Sequence, residues 1–282
     1  MSCNICNSEV NQIFEAKILN KYDIKYFKCC KCGFIQTEKP YWLNESYSSA
    51  IATTDIGLVS RNISFQEITS FIIKSFFDRK AKFLDYAGGY GLFVRLMRDK
   101  GFEFYRQDIY CDNLFSQYFD VTDLSKNMKF ELLTAFEVFE HLENPLEQIE
   151  QMFQYSDTIL FSTELQPQKT FNSADDWWYF TTETGQHISL YTLQSLEILG
   201  SSLNCKLYSN NRNLHILTKR ELDSNPFVEY RNLNKKILPV RVLNKMARII
   251  ETIFDKSFKK STSNSLLIKD YNYIKNKINK TN

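Results

Sequence analysis

Phe83-Leu84-Asp85-Tyr86-Ala87-Gly88-Gly89-Tyr90-Gly91-Leu92-Phe93 is the stretch on which the fold of this chain turns. Apolar residues run into an acid, glycines follow at positions 88, 89 and 91, and an amphipathic run leaves toward Lys100. A short buried strand, a tight turn and a helix start account for that order. Glycines let the backbone approach a ligand where a Cβ would collide, and a helix N-terminus presents free N–H donors. A glycine cluster alone fits many ligands, so the segments around it must decide.

From Ala81 onward, apolar strands alternate with helical stretches, the pattern of an open, mostly parallel sheet. A second strand is predicted over Phe102–Arg106. It leads to Asp108, 23 residues after Asp85, where an acid at a strand end can accept hydrogen bonds from ribose hydroxyls. A weaker strand is expected near Tyr118–Val121, a buried strand over Lys129–Val138, a helix over Pro145–Phe153 and a strand over Thr158–Thr163. A helix over Thr192–Leu203 precedes a closing hairpin of Cys205–Tyr208 with Leu214–Leu217 around Asn210-Asn211. That antiparallel ending separates the chain from nicotinamide dehydrogenases.

Ahead of this region, Cys3-Asn4-Ile5-Cys6 and Cys29-Cys30-Lys31-Cys32 form two C-x2-C pairs 22 residues apart. Two such knuckles aim four thiolates at one tetrahedral ion, so Cys3, Cys6, Cys29 and Cys32 are expected to hold one structural zinc. Gln12–Glu15 and Lys25–Lys28 read as strands of a small ribbon. Cys30 reads as a spare neighbour, and Cys111 and Cys205 as small buried residues. Lys39-Pro40 ends the ribbon. Leu43–Asp78 is mostly helical, with Ile63, Ile68, Phe71, Ile72, Phe76 and Phe77 on one side. The organisation expected is a zinc ribbon (1–42), a helical bridge (43–80), a cofactor-binding domain (81–220) and a basic helical C-terminal extension (221–282).

Apolar residues make up 43% and charged residues 24% of the 282, ordinary for a globular protein with a real core. No apolar run is long enough to cross a bilayer, and Met1-Ser2-Cys3-Asn4 does not look like a signal peptide. A cytoplasmic location with reduced thiols is therefore expected. Net charge is +2, yet residues 231–282 carry thirteen Lys/Arg against Glu251, Asp255 and Asp270, or +10, so the first 230 residues sum to −8. That balance argues against nucleic acid as the partner, because its binding rests on phosphate neutralisation. In the tail, Val240, Leu243, Ala247, Ile250 and Phe254 form a helical stripe beside Arg241, Lys245 and Arg248. Such a stripe suits packing on its own domain or a twin subunit, or peripheral contact with an anionic membrane. A last helix is expected over Leu266–Ile278.

Asp85–Gly91, Asp108 and Phe136-Glu137-Val138-Phe139-Glu140-His141-Leu142 together resemble the class I S-adenosylmethionine-dependent methyltransferases. The usual acid-x-Gly-x-Gly-x-Gly motif appears with Ala87 in place of its first glycine. The resemblance covers roughly residues 80–220. It implies an α/β, Rossmann-like sheet and a cofactor site in which Ala87, Gly88, Gly89 and Gly91 pass against the methionine part. Asp85 would hold the cofactor's amino group, Asp108 the ribose hydroxyls, and Phe136 and Glu137 would line the pocket. The four-cysteine front end makes the chain similar to bacterial methyltransferases of sugar and surface-glycan pathways. Gly185-Gln186-His187-Ile188-Ser189 resembles the segment carrying a substrate-side histidine in deoxysugar C-methyltransferases, with Gln186 standing where those relatives often carry glutamate.

The expectation is methyl transfer to a sugar, nucleotide-sugar or related small metabolite, in glycan or natural-product biosynthesis, with His187 as base. His187 follows Gly185 in a polar loop beyond the fifth strand, at the carboxyl-end face where α/β ligands sit. The run Asp175-Asp176-Trp177-Trp178-Tyr179-Phe180 places aromatic faces beside carboxylates, so Trp177, Trp178 and Tyr179 are candidate substrate contacts. His141 reads as structural or cofactor-edge, and His215 as core. The competing readings are an RNA-modifying methyltransferase using the ribbon and tail, and a silent cofactor-binding module.

Overall fold

The computed structural model describes residues 1–47, 55–235, 265–266, 269–274 and 276. The elements in chain order are β1 (Val10–Ile18), β2 (Tyr22–Cys29), β3 (Ile35–Thr37), α1 (Leu43–Ser46), α2 (Leu58–Phe76), β4 (Lys82–Tyr86), α3 (Leu92–Asp99), β5 (Glu103–Gln107), β6 (Leu132–Ala135), α4 (Pro145–Met152), β7 (Thr158–Ser162), β8 (Ser189–Leu190), α5 (Leu193–Ser202), β9 (Lys206–Ser209) and β10 (Leu214–Thr218). They build a six-stranded sheet of order β5-β4-β6-β7-β10-β9 and a four-stranded sheet of order β1-β2-β3-β8.

In the larger sheet β5, β4, β6 and β7 are parallel, and β10 runs antiparallel to both β7 and β9. Alternation along β4 sends Phe83 to one face and Leu84 to the other. On Phe83's face, Ile68 and Ile72 of α2 and Phe93 and Met97 of α3 bury their apolar stripes. On the other, Ile149 and Met152 of α4 pack with Leu196 and Leu199 of α5, and that core runs on into Cys3, Cys29, Cys32 and Phe34. The mixed α/β sheet with its antiparallel ending is the expected Rossmann-like fold.

Several local expectations change. Over 129–138 only Leu132–Ala135 is strand, because Glu137 takes a left-handed φ of +55° and turns the chain. The strand near Tyr118–Val121 shrinks to a single parallel bridge between Arg106 and Asp120, where the Arg106 guanidinium binds the Asp120 carboxylate at 2.6 Å. In α2 the buried face is Phe65, Ile68, Ile72 and Ile73, whereas Ile63 is exposed. The hairpin turn is held by Asn210, whose Oδ1 accepts N–H groups from Arg212 and Asn213 at 2.8 and 2.9 Å.

The cysteine ribbon is not an isolated lobe. Its strand β3 pairs antiparallel with β8, and Thr192 at the N-cap of α5 donates its hydroxyl to the Cys32 carbonyl. The stripe Val240–Phe254 lies outside the described residues. From the tail, residues 269–274 are helical, and Asp270 is buried with bidentate bonds from Arg98 at 2.7 and 2.8 Å and one from Arg95 at 2.9 Å. No helix among the described residues is long and apolar enough to cross a membrane.

Candidate active site

The glycine turn lies at the carboxyl edge of β4, and each of its residues has a distinct steric reason. Gly88 must lack a side chain, since a Cβ there would stand 2.6 Å from Asp85 Oδ2 and 3.0 Å from Arg106 Cγ. Gly91 has φ +84° and caps α3, and a Cβ would meet Ser116 Oγ at 2.3 Å. Gly89 has φ +54° with nothing within 4 Å of a built Cβ, so its open side faces space rather than protein. Ala87 also adopts φ +53°, in the region where an L side chain is strained and a glycine is not.

Two acids brace this turn. Asp108, at the end of β5, accepts the Gly89 N–H at 2.9 Å through Oδ2, and the N–H groups of Tyr110 and Cys111 at 2.8 Å through Oδ1. Asp85 is 3% exposed and accepts the Thr134 hydroxyl at 2.7 Å. Burial pushes its carboxyl up to about 7; Thr134 opposes the rise, Asp108 adds to it and Arg106 opposes it. Arg106 reaches across the loop to donate to the carbonyls of Gly89 and Cys111.

Beyond β6, Phe136 stacks on Phe65 with centroids 4.2 Å apart and meets Phe93 edge-on at 5.1 Å. The Glu137 N–H donates to Ser162 Oγ at 2.7 Å, and that hydroxyl donates to Glu137 Oε1 at 2.6 Å, which holds the left-handed turn. Glu137 then borders a cleft of about 300 Å³ shared by Ser60, Arg61, Glu164, Trp178, Tyr179 and Asn213, with Ser64 and Phe65 completing its wall. Arg61 makes two 2.8 Å bonds to Asp55 and lies 3.7 Å from Glu137. Of the three aromatic candidates, Trp178 is 70% exposed at this cleft and Tyr179 borders it, whereas Trp177 is buried against Phe171 and Phe180. Trp177 is therefore an anchor for the loop, held away from the cleft by the apolar cluster it completes.

Next to the cleft stand Glu140, His141 and His187. His187 Nδ1–H donates to the Tyr179 carbonyl at 2.7 Å, which leaves the lone pair on Nε2. Burial pushes its imidazole down to about 4, with the Tyr179 carbonyl opposing and Arg61 adding. His141 is pushed down to about 3 by burial and by His187, opposed by the Gln186 backbone; its Nδ1 lies 3.0 Å from Tyr47 Oη. Glu140 is fully buried, accepts the Tyr179 hydroxyl at 2.7 Å, and is pushed up to about 8 by burial and by the charge of Glu137. Both imidazoles are thus neutral near pH 7 and available as lone-pair donors. His215 is buried between Ser209 Oγ and the Thr163 carbonyl, as core.

The four cysteines of the two C-x2-C pairs converge. Sγ atoms of Cys3 and Cys32 lie 3.6 Å apart, Cys6 and Cys29 3.5 Å, and Cys6 and Cys32 3.6 Å, and the set can hold a metal ion. N–H groups of Ile5, Lys31 and Cys32 point at sulfurs from 3.4 Å, which favours thiolates. Cys30 is exposed and outside the set; Cys111 and Cys205 are half-buried.

Sequence reasoning brought His187, Glu137 and the glycine turn together but gave no part to Glu140, Arg61 or Tyr47. Glu140 stands within the EVFEHL stretch, one position before His141. Its burial follows from the 3-10 turn Phe139–His141, which the residue pattern of this stretch does not show.

A family profile described as a methyltransferase domain matches residues 61–210, just over half of the 282. Comparison with curated proteins gives no match. Among solved structures, the plantazolicin methyltransferase BpumL in complex with SAH is similar at 14% identity over 62% of this chain and 94% of its own, TM-score 0.41. CalO1, a methyltransferase in calicheamicin biosynthesis in its SAH-bound form, is similar at 11% identity over 58% of this chain and 57% of its own, TM-score 0.38. An O-methyltransferase family protein from Burkholderia thailandensis is similar at 11% identity over 65% and 68%, TM-score 0.40. At such identities and scores no substrate or residue role carries over. The profile match, on a sheet of this topology, shows that the chain belongs to the methyltransferase-domain family, the class I S-adenosylmethionine-dependent methyltransferases.

Proposed function

We propose that this enzyme transfers the methyl group of S-adenosylmethionine to a small polyhydroxylated acceptor: a sugar, nucleotide-sugar or related precursor of a glycan or natural product. The observation that carries the reading is the cleft beside Glu137, where Arg61, Glu164, Ser60, Ser64 and Asn213 offer hydrogen bonds around the exposed face of Trp178. Ring stacking with a polar rim suits a sugar.

Gly89, with open space where a Cβ would stand, gives the backbone room for the cofactor, and the N-terminus of α3 faces the same turn. Asp108 already accepts three N–H groups, and a carboxylate with about four lone-pair sites keeps one for a ribose hydroxyl. Asp85 lies beneath Gly88 and supplies Oδ2 to the cofactor's ammonium. Ala87, Gly88 and Gly91 shape the turn, while Phe136 and Glu137 close its floor. The bound cofactor supplies a methyl already made electrophilic by a sulfonium charge, so the protein's task is orientation and proton handling. His187, neutral and fixed by Tyr179, takes the acceptor's O–H proton at Nε2.

The four cysteines fit one structural zinc. With Zn–S bonds of about 2.3 Å a tetrahedron's corners stand about 3.8 Å apart, close to the 3.5–3.6 Å between these sulfurs. The test of the reading is transfer from methyl-labelled cofactor to a panel of sugars, sugar nucleotides and RNA. Labelled product is expected with the native protein and not with His187→Ala, whose S-adenosylhomocysteine binding should persist. Unchanged turnover in His187→Ala would remove the base role, and a panel labelled only in RNA would overturn the acceptor class.

A further inference from the structure

Glu140, His141 and His187 each offer one ligand atom, and these atoms lie within 4.8 Å of one another. Glu140 is fully buried, and its Oε2 has no hydrogen-bond partner among the described residues. A buried carboxylate oxygen left without a partner is costly, and native proteins rarely carry one without a use.

The neighbours of the cluster hold the other polar atoms of the same side chains. Tyr179 Oη donates to Glu140 Oε1 at 2.7 Å, and the Tyr179 carbonyl accepts His187 Nδ1–H at 2.7 Å. Tyr47 Oη is 3.0 Å from His141 Nδ1. Metal-ligating imidazoles are commonly oriented in this way, by a carbonyl or hydroxyl on the ring nitrogen that does not ligate.

We propose a second metal site, distinct from the four cysteines, in which Glu140, His141 and His187 hold one divalent transition-metal cation beside the acceptor cleft. Two imidazoles and a carboxylate suit zinc or manganese better than magnesium, which takes oxygen ligands and keeps its waters. Ligand atoms on one cation with bonds of about 2.1 Å stand no more than about 4.2 Å apart. Atoms within 4.8 Å of one another need close by no more than roughly half an ångström to meet that limit, within the reach of a side-chain rotation. Tyr179, which bonds to both Glu140 and His187, borders the cleft, and this puts the cation next to the acceptor side. The proposal rests on the reading of that cleft as the acceptor site, and it gives His187 a more specific part. With a cation seated, His187 Nε2 is a ligand and no longer the base; the metal acidifies the acceptor hydroxyl instead, and the proton leaves to water.

The experiment is calorimetric titration of full-length protein, its cysteine site filled and loosely held metal removed by a mild chelator, with Zn²⁺, Mn²⁺ and Mg²⁺ in turn. One further saturable site is expected for Zn²⁺ or Mn²⁺, with Mg²⁺ weaker. Glu140→Gln and His141→Ala should weaken it by more than the 10- to 100-fold typical of losing an outer-sphere partner. Wild type taking up no further metal at millimolar concentration, Glu140→Gln titrating like wild type, or Mg²⁺ binding as tightly as Zn²⁺ and Mn²⁺ would each overturn the site. S-adenosylhomocysteine binding by the same preparations checks that the variants are folded. In wild type it reports separately on the methyltransferase reading, so failure of one leaves the other decided.

Discussion

Two glycines in one turn should fail in opposite ways when each gains a methyl group. At Gly91, φ +84° puts an alanine in the left-handed region, costing about 1–2 kcal/mol. The added Cβ would also lie 2.3 Å from Ser116 Oγ and 2.8 Å from Asn113 Oδ1, so the 113–116 loop must move. That movement strains two bonds of 2.9 Å, from the Ser116 N–H and hydroxyl to Asn113 Oδ1, each worth about 1 kcal/mol net. Loss of unfolded-state freedom returns about 0.4–1 kcal/mol, which leaves Gly91→Ala destabilised by about 2–4 kcal/mol. Gly89→Ala carries the same left-handed strain without a clash, so its stability loss should be about 1 kcal/mol. Its methyl group enters the open space assigned to the cofactor, and affinity for S-adenosylhomocysteine should fall at least about 10-fold, or roughly 1.4 kcal/mol. The reverse change, Ala87→Gly, relieves strain at φ +53° and should not lower stability. Urea unfolding reads the first quantity and calorimetry the second. The reasoning is refuted if Gly91→Ala keeps the wild-type midpoint, or if Gly89→Ala binds S-adenosylhomocysteine like wild type.

Folded Asp85 binds its proton more tightly than the unfolded chain does, so its contribution to stability is full below the ordinary aspartate value of 3.8 and is lost as pH rises to about 7. Asp85→Asn should flatten that part of the stability profile; equal slopes in denaturation series at pH 5 and pH 7.5 would contradict the buried, proton-holding state. Asp270→Ala leaves Arg98 buried without its carboxylate, a loss of about 3–5 kcal/mol, and should speed hydrogen exchange over residues 269–274. Exchange unchanged there would show that the ion pair does not hold the C-terminal helix.

The sheet was legible because its cues are local: apolar runs of strand length, glycines at the first turn, and Asn210-Asn211 at the hairpin. Cysteine spacing likewise announced a site, since four sulfurs at C-x2-C intervals have few other uses. What did not show was non-local or conformational. Glu137's left-handed turn cuts short a strand that reads as ten residues, and it rests on Ser162, 25 positions away. The pairing of β3 with β8 joins residues more than 150 apart. Trp177 and Trp178 are adjacent in sequence, yet one is buried and the other 70% exposed, because the 3-10 turn Trp178–Phe180 begins between them. The Glu140–His141–His187 cluster needs two distant loops brought together by Tyr179.

The central claim is that the turn from Asp85 to Gly91 binds S-adenosylmethionine. Calorimetric titration of the full-length protein with S-adenosylhomocysteine tests it most directly. One saturable site per chain is predicted, weakened in Asp108→Ala and Gly89→Ala while both variants keep their cooperative unfolding. Heat of dilution alone for the folded wild type, or equal affinity in all three proteins, would contradict the account.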